Sequence, residues 1–281
     1  VATGEKWEYD AQRYGRIAAA REAEQQVMLA YQDAQTCRMQ LLQQDLDDPT
    51  AAACGRCDVC AEPWYRSQVP AATLGKATAA LDKVGVPIEP RGQWPTGASR
   101  RGVEAKGRIG VEQRPETGRV VARLTDLGWG GTLRALFAPG AADQPPSPEL
   151  ESAVISTLRD WPWDERPAAV VAMPSISRPI LVSSTAAAIA ERGRLRFLGA
   201  LDLNPHIPRA EHGGNSAFRL GSVWGRFSVG EQLRAALVEV DGPILLVDDL
   251  IDSKWTMTVA ARELRLAGAE SVLPFALAVT G

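Results

Sequence analysis

Short apolar runs alternate with amphipathic stretches through the second half of the chain. Four nearly continuous apolar runs have the length and composition of buried strands, and they lie at 167–175, 195–201, 243–249 and 271–279. The intervening patterns predict helices at 149–161, 178–193, 230–240 and 256–268. The first of these helices has Ser147 as its N-cap and Pro148 at its first position. Continuous apolar strands separated by helices are typical of a parallel sheet covered on both faces, so we predict an α/β domain.

The first half of the chain predicts helices, a loop and a connector. Residues 6–45 are rich in Ala, Gln, Glu, Arg and Leu, which predicts one or two helices, and 46–61 form a loop around cysteines. The stretch 62–104 is rich in Pro, Gly, Thr and Arg, which predicts a linker with one short helix near 71–83. Basic residues and short apolar pieces at 100–124 predict a small β-hairpin or ribbon. The predicted divisions are a helical module (1–62), a linker and basic connector (63–146) and the α/β domain (147–281).

Composition and charge narrow the class of protein. The 281 residues are 45% hydrophobic and 23% charged, which is ordinary for a globular protein. The net charge of −3 gives no sign of nucleic-acid binding by the chain as a whole, although residues 100–123 are locally basic. No apolar run approaches the ~18–20 residues that span a bilayer, and the N-terminus has no signal-peptide core. We therefore expect a cytoplasmic protein without a membrane partner.

All four cysteines lie in the first quarter of the chain. They are Cys37, Cys54, Cys57 and Cys60, and the two-residue gaps allow successive thiolates to converge on one ion. A first cysteine at a helix end then closes a tetrahedral site, in which a zinc ion with four protein ligands is structural. Two disulfides and an iron–sulfur cluster are the alternatives. A reducing cytosol disfavours disulfides, whereas the Cys-x2-Cys-x2-Cys spacing also suits iron–sulfur ligation.

The residues around the cysteines resemble a known family. Cys37-Arg38-Met39-Gln40-Leu41-Leu42 is followed by Cys54-Gly55-Arg56-Cys57-Asp58-Val59-Cys60. This resembles the zinc-binding subdomain of RecQ-family DNA helicases, which has a Cys-Arg-Arg-x-x-Leu-Leu helix and then a Cys-Gly-x-Cys-Asp-x-Cys knuckle. The resemblance covers about residues 20–61. It implies a structural zinc ion in a subdomain that lies directly behind an ATPase motor and helps to hold DNA.

The sequence contains no phosphate loop of such a motor. The Gly75-Lys76 pair is followed by Ala77 rather than Ser or Thr, and Pro70 stands where the first glycine belongs. The resemblance therefore implies the C-terminal region of a RecQ-like ATP-dependent DNA helicase that acts in DNA unwinding and repair. The cations expected to contact DNA phosphates are Arg38, Arg100, Arg101, Lys106 and Arg108.

An acidic pair ends the third predicted strand. Asp248 and Asp249 follow four apolar residues, at the kind of strand end where α/β sheets place ligands. The loop 252–256 leads into a helix whose free N–H groups suit a phosphate, while the two carboxylates suit ribose hydroxyls or a Mg²⁺ ion. Together these features predict a ribose-5-phosphate site.

The same stretch resembles the phosphoribosyl-pyrophosphate motif of type I phosphoribosyltransferases: four apolar residues, Asp-Asp, three variable residues, then Thr-Gly-x-Thr. Thr256 matches, Ser253 is a conservative substitution, and Lys254-Trp255 stand where small residues are usual. Residues 174–178 match the position of the family's pyrophosphate loop. The resemblance covers about residues 149–281 and implies phosphoribosyl pyrophosphate and Mg²⁺ as ligands. The candidate binding residues are Ser175, Ser177, Arg178, Asp248, Asp249, Asp252, Ser253, Lys254, Trp255 and Thr256.

Two functions follow from these resemblances. In the first, the chain is the C-terminal region of a RecQ-like helicase, and its phosphoribosyltransferase-like domain serves binding or assembly, including assembly into an oligomer. In the second, the chain is a phosphoribosyl-pyrophosphate-dependent transferase with an accessory zinc knuckle. Lysine and tryptophan in the phosphate loop favour the first, because they depart from the pattern of the active enzymes.

Overall fold

The computed structural model describes residues 9–61, 63, 68–207 and 214–280. The chain divides into two compact units, Val1–Leu74 and Gly75–Gly281. Residues 6–8 of the first predicted helix lie outside the described residues. Among the residues that are described, no helix is both long enough and apolar enough to cross a bilayer.

Two helices and a cysteine-bearing loop form most of the described part of the first unit. Helix α1 covers Ala11–Gln32 and α2 covers Arg38–Asp45, which confirms the helices predicted from composition. Asp10 caps α1 by accepting a hydrogen bond from the Arg13 N–H at 2.9 Å. Helix α3, Ala71–Leu81, confirms the short helix predicted near 71–83.

A mostly parallel sheet forms the centre of the second unit. The strands are β1 (Val86–Ile88), β2 (Gly118–Arg123), β3 (Ala169–Ala172), β4 (Arg196–Ala200), β5 (Asp202–Leu203), β6 (Phe227–Ser228), β7 (Ile244–Ile251) and β8 (Val272–Val279). Six of them form one sheet in the order β1-β2-β8-β7-β3-β4, and β5 pairs with β6 separately. All pairs in the large sheet are parallel except β1 with β2, which confirms the predicted α/β fold. Every residue of β8 is buried, as its continuous apolar composition predicts.

Helices surround this sheet. They are α4 (Trp129–Leu136), α5 (Pro148–Arg159), α6 (Pro179–Gly193), α7 (Ser216–Gly221), α8 (Glu231–Val238) and α9 (Trp255–Leu266), with a short 3₁₀ helix at Ala98–Arg101. Helix α5 begins as predicted: Ser147 accepts a hydrogen bond from the Leu150 N–H at 3.3 Å, and Pro148 is the first helical residue. Helix α6 likewise ends at Gly193, where the following Arg194 takes a left-handed conformation with φ of 53°.

The connector contributes strands to the central sheet. β2 lies within the stretch predicted as a hairpin, but its antiparallel partner β1 lies upstream of that stretch. On its other side β2 pairs with β8, so Val120 and Val121 are completely buried. Val103 and Ile109, which lie earlier in the stretch, are buried outside any strand. The apolar pieces therefore serve the core of the whole unit, because their neighbours come from distant parts of the sequence.

The sheet has a topological switch point between β3 and β7. These strands are neighbours, with Ala172 opposite Val247 at the end of their pairing. The chain leaves β3 through α6 towards β4 on one side, and leaves β7 through α9 towards β8 on the other. In such folds the two crossovers diverge and open a crevice at the carboxyl ends of the strands, which is where ligands bind.

Candidate functional site

Two adjacent carboxylates lie at the crevice between β3 and β7. Asp248 is the first residue of β7 beyond the last pair with β3, and only 7% of its surface is exposed. The Asp249 N–H donates to Oδ1 of Asp248 at 2.9 Å, and the Leu250 N–H donates to Oδ1 of Asp249 at 2.7 Å. The strand thus brings both predicted acids to the switch point.

The environment of this acidic pair raises the pKa of both carboxyls. Burial raises the pKa of Asp248 well above its ordinary value, and the negative charge of Asp249 raises it further. Burial also raises the pKa of Asp249, against the hydrogen bond from the Leu250 N–H and the positive charge of Arg178. A cation beside the pair would reverse this effect, and carboxylate oxygens are the ligands that Mg²⁺ prefers.

The loop after β7 leads directly into the first turn of α9. Lys254 precedes the helix in a left-handed conformation with φ of 68°, so it keeps the backbone shape that the glycine of the resembling motif would allow. No side chain of the described residues caps this first turn, whose N–H groups have no partner within the helix. Ser253, Lys254 and Thr256 line the cavity at this point.

The connector anchors this loop from behind. The Lys254 ammonium donates to the Glu89 carbonyl at 3.0 Å. The Arg91 guanidinium donates to the Ser253 carbonyl from Nε at 3.1 Å and from Nη2 at 2.7 Å. The sequence gives no indication that Arg91 anchors this loop, because the residue lies far from the motif and in a stretch predicted to be a linker.

Trp255 packs behind the loop and does not line the cavity. Its ring is 1% exposed and stacks on Trp94, with 5.9 Å between centroids. Its Nε1 donates to the Ser216 hydroxyl at 2.9 Å. Of the predicted binding residues, Trp255 is therefore a packing residue that joins α9 to α7 and to the connector.

The loop after β3 forms the opposite wall of the cavity. Ser177 and Arg178, two of the predicted binding residues, line it. Ser175 lies behind them: its hydroxyl accepts a hydrogen bond from the Arg178 N–H at 3.0 Å and lies 3.5 Å from Oδ2 of Asp249. The Arg178 guanidinium lies over the Phe137 ring, 5.4 Å from its centroid.

An ion pair crosses from α7 to the loop after β7. Arg219 Nη1 lies 2.9 Å from Oδ2 of Asp252, and the Thr280 hydroxyl donates to the other oxygen at 3.1 Å. Both Arg219 and Asp252 line the cavity, whose volume is about 690 Å³. The predicted site residues Ser177, Arg178, Asp248, Asp249, Asp252, Ser253, Lys254 and Thr256 all line this cavity.

The four predicted metal ligands converge in the first unit. The Sγ atoms of Cys37, Cys54, Cys57 and Cys60 lie within 4.8 Å of one another. Four thiolates on one zinc ion, each at about 2.3 Å, lie about 3.8 Å apart, so the cluster fits a single tetrahedral ion. The four cysteines of an iron–sulfur cluster are divided between at least two irons, so they do not all lie this close to one another. The four thiols are not disulfide-bonded, and the Sγ atoms of Cys37 and Cys57 are 3.9 Å apart.

Electrostatics around the thiols favour a bound cation. The Arg38 N–H lowers the pKa of Cys57 to about 6, and the Cys54 N–H lowers the pKa of Cys37. At Cys60 the Gly55 N–H acts in the same direction, but the neighbouring thiols Cys37 and Cys57 raise its pKa to about 11. A bound metal ion would neutralise the thiolates together, and it would therefore remove the effect by which neighbouring thiols raise the pKa of Cys60. Cys37 is also the one buried residue among residues 9–61, so this part of the chain has no apolar core of its own.

The arginine and aspartate of the cysteine motif pair with each other. Arg38 donates to Asp58 from Nε at 2.7 Å and from Nη2 at 2.9 Å, and it also donates to the Tyr31 carbonyl. These side chains are about a fifth exposed, at 21% and 22%. Gly55 has φ of 70°, which explains the glycine of the knuckle. Arg38, predicted to contact DNA, thus has a structural partner within the module.

The other predicted DNA-contacting cations lie on the connector. Arg100, Arg101, Lys106 and Arg108 are all exposed. They follow or belong to the short 3₁₀ helix, which ends at Arg101. The Arg101 guanidinium lies over the Phe218 ring, 5.0 Å from its centroid. The segment therefore presents a short run of accessible positive charge.

Comparison with known proteins gives a limited likeness. No protein-family model matches the chain, and no curated protein is significantly similar to it in sequence. Among solved structures, the chain is similar to adenine phosphoribosyltransferase from Leishmania tarentolae, with 12% sequence identity and a TM-score of 0.33. The match covers 61% of this chain and 93% of that one.

Proposed function

We propose that the α/β unit binds a phosphorylated ribose together with Mg²⁺. The observation that carries this proposal is the Asp248–Asp249 pair, of which Asp248 is buried, at a topological switch point and beside a helix N-terminus that no described side chain caps. The carboxylates suit a divalent cation or ribose hydroxyls, and the first turn of α9 suits the phosphate. Asp248 and Asp249 would hold the ion, which would supply positive charge between sugar and carboxylates.

Calorimetry of the full chain tests this proposal. Ribose 5-phosphate is titrated into the wild type with and without Mg²⁺, and then into Asp248→Asn/Asp249→Asn. We expect binding that requires Mg²⁺ and is lost in the double variant. Asp241→Asn, an exposed change just before β7, is the matched control and should bind as the wild type does. Absence of binding to the wild type would remove the proposal.

Group transfer is the alternative use of the same cavity. The left-handed Lys254 supports it, because the phosphate loop keeps its shape without the glycine. A transferase must release pyrophosphate from phosphoribosyl pyrophosphate, so a coupled pyrophosphate assay with the four common nucleobases and orotate distinguishes the two. We propose binding without transfer, and sustained pyrophosphate release with any acceptor would overturn that choice.

We further propose that the four cysteines hold a structural zinc ion and that the chain belongs to a RecQ-like DNA helicase. The non-cysteine residues of the motif support this, because Arg38 and Asp58 join the two halves of the cluster and Gly55 provides its turn. A metal site built from four protein ligands leaves no open coordination position, so its role is structural. The module would then support DNA engagement by a motor of the parent protein.

Two measurements test this second proposal. Metal analysis of the purified chain should find one zinc per chain and no iron or acid-labile sulfide. Fusion to a RecQ-type motor should give a helicase whose unwinding rate falls when residues 1–61 are deleted. Equal unwinding by the shortened fusion, at matched ATPase activity, would contradict the role in DNA engagement.

A further inference from the structure

The two helices that begin at the crevice differ at their N-termini. The Asp143 carboxylate accepts hydrogen bonds from the N–H groups of Ile180, at 2.8 Å, and Leu181, at 3.0 Å, in the first turn of α6. No such cap occupies the first turn of α9 among the described side chains. Because a helix N-terminus attracts negative charge, α6 already has an anion from the chain itself, whereas α9 is open to one from outside.

One backbone N–H of the loop that leads into α6 also has a partner within the chain. The Arg178 N–H donates to the Ser175 hydroxyl, and Pro179 has no N–H to offer. The Arg178 guanidinium lies over the Phe137 ring, and its charge acts on Asp249. The backbone N–H groups of Arg178, Ile180 and Leu181 at this end of the cavity are therefore engaged with other groups of the same chain.

The segment that carries Asp143 also forms a wall of the cavity. Phe137, Pro139 and Ala141 line it, two to six residues before Asp143. The chain thus passes along the cavity at the β3 side before its carboxylate reaches α6. A ligand that extends towards α6 would meet this segment and the negative charge of Asp143.

We propose that Asp143 takes the place of a second phosphate group, so that the cavity binds a sugar 5-phosphate monoester and discriminates against phosphoribosyl pyrophosphate. The inference rests on the sugar-phosphate site proposed above. A monoester places its phosphate at α9 and its hydroxyls at Asp248 and Asp249, and it requires nothing at α6. The pyrophosphate of the longer ligand would have to displace Asp143 from α6 or lie beside a like charge.

Paired titrations of the full chain test this assignment. Ribose 5-phosphate and phosphoribosyl pyrophosphate are titrated with Mg²⁺ into the wild type, Asp143→Asn and Asp143→Ala, whose folding is checked by circular dichroism. The wild type should bind the pyrophosphate ligand no more tightly than the monoester. Asp143→Ala frees two N–H groups, so the affinity ratio should shift towards the pyrophosphate ligand by about tenfold. Asp143→Asn keeps an acceptor without the charge and should shift it less.

Each contrary result has a distinct meaning. If the wild type binds phosphoribosyl pyrophosphate about tenfold more tightly than ribose 5-phosphate, the inference is overturned while the sugar-phosphate site stands. An unchanged ratio in a folded Asp143→Ala protein overturns the role of Asp143 in the same way. If neither ligand binds the wild type, the sugar-phosphate proposal itself fails, and the inference fails with it.

Discussion

The Arg91 guanidinium lies over the Trp255 ring, with 4.6 Å between its Cζ atom and the ring centroid. The same guanidinium holds the Ser253 carbonyl through two hydrogen bonds. Trp255 in turn stacks on Trp94 and donates to Ser216. A connector residue therefore fixes the loop that joins the acidic pair to α9, and the loop's shape depends on a contact far away in sequence.

Replacing Arg91 with Ala should weaken both the fold and the site. The change removes a partly buried cation–π contact and two hydrogen bonds, so the free energy of unfolding should fall by about 2 kcal/mol. Affinity for ribose 5-phosphate should fall too, since the loop loses its anchor. Lysine keeps the charge but not the planar guanidinium, so both losses should be smaller for Arg91→Lys than for Arg91→Ala.

Urea denaturation measures the change in stability and calorimetry the change in affinity. Arg108→Ala, at an exposed position, is the control. Equal behaviour of Arg91→Ala and the control would contradict the anchoring role.

Lys254 offers a direct test of backbone shape. Its φ of 68° is available to glycine without strain, is tolerated by lysine at some cost, and is strongly disfavoured for β-branched residues. Lys254→Gly should therefore leave sugar-phosphate binding nearly intact. Lys254→Val should lower the free energy of unfolding by about 1–2 kcal/mol more than the glycine variant does. Thermal and urea denaturation of the two variants give this difference, and a valine variant as stable as the glycine one would exclude a left-handed Lys254.

The strands and helices of the second half were predictable because their signals are local. The predicted strand at 271–279 becomes β8, and the predicted helix at 178–193 becomes α6, since apolar continuity and glycine stops act within each segment. The acidic pair was likewise predictable, because parallel strands deliver their carboxyl ends to the ligand edge. The four cysteines came together as their spacing predicts.

The parts that could not be predicted depend on contacts between distant segments. β1 and β2 join the sheet because β8 offers an edge to β2, and no local pattern specifies that partner. Asp143 caps α6 from the end of the connector, where no sequence pattern indicates that contact. Trp255 occupies a position of the predicted binding loop, but its side chain packs inwards. Its ring stacks on Trp94 and its indole N–H donates to the Ser216 hydroxyl.

The raised pKa of Asp248 predicts how stability depends on pH. The folded state holds this proton more tightly than the unfolded state does, because burial and the charge of Asp249 raise the folded-state pKa. Without Mg²⁺, the free energy of unfolding should therefore fall as the pH rises from about 3.9, the ordinary aspartate value, through the raised pKa. Asp248→Asn should flatten this fall and be more stable than the wild type at neutral pH.

Mg²⁺ provides the control for this prediction. The ion should stabilise the wild type at neutral pH and have little effect on Asp248→Asn, because it compensates the buried negative charge. Urea denaturation across the pH range, with and without Mg²⁺, measures both effects. If the free energy of unfolding of the wild type instead rises with pH over the same range, in parallel with that of Asp248→Asn, then the folded state does not bury Asp248 in its protonated form.

Removing the Arg38 side chain should loosen the metal centre. The fork of Arg38 on Asp58 joins the start of α2 to the cysteine knuckle, and changes of such supporting residues typically lower metal affinity about 10–100-fold. Arg38→Ala should therefore lose zinc more readily to a competing chelator, with a comparable effect for Asp58→Ala. Arg56→Ala, an exposed change within the same knuckle, is the control. Equal zinc retention by Arg38→Ala and Arg56→Ala would contradict the structural role of Arg38.

The exposed cations of the connector predict a salt-dependent contact with DNA. Each lysine or arginine that neutralises a phosphate contributes about 0.9 to the slope of log affinity against log salt concentration, through release of counterions. Changing Lys106 and Arg108 together to Gln should lower that slope by about 2 and weaken binding to all duplex sequences alike. Fluorescence anisotropy with a labelled duplex at several salt concentrations measures this slope.

The control removes two other arginines, Arg159 and Arg196, whose side chains pair with Asp160 and Glu239. If the control variant loses as much slope, the effect comes from net charge alone, which contradicts a contact at the connector. If only the Lys106 and Arg108 variant loses slope, the connector contacts the DNA.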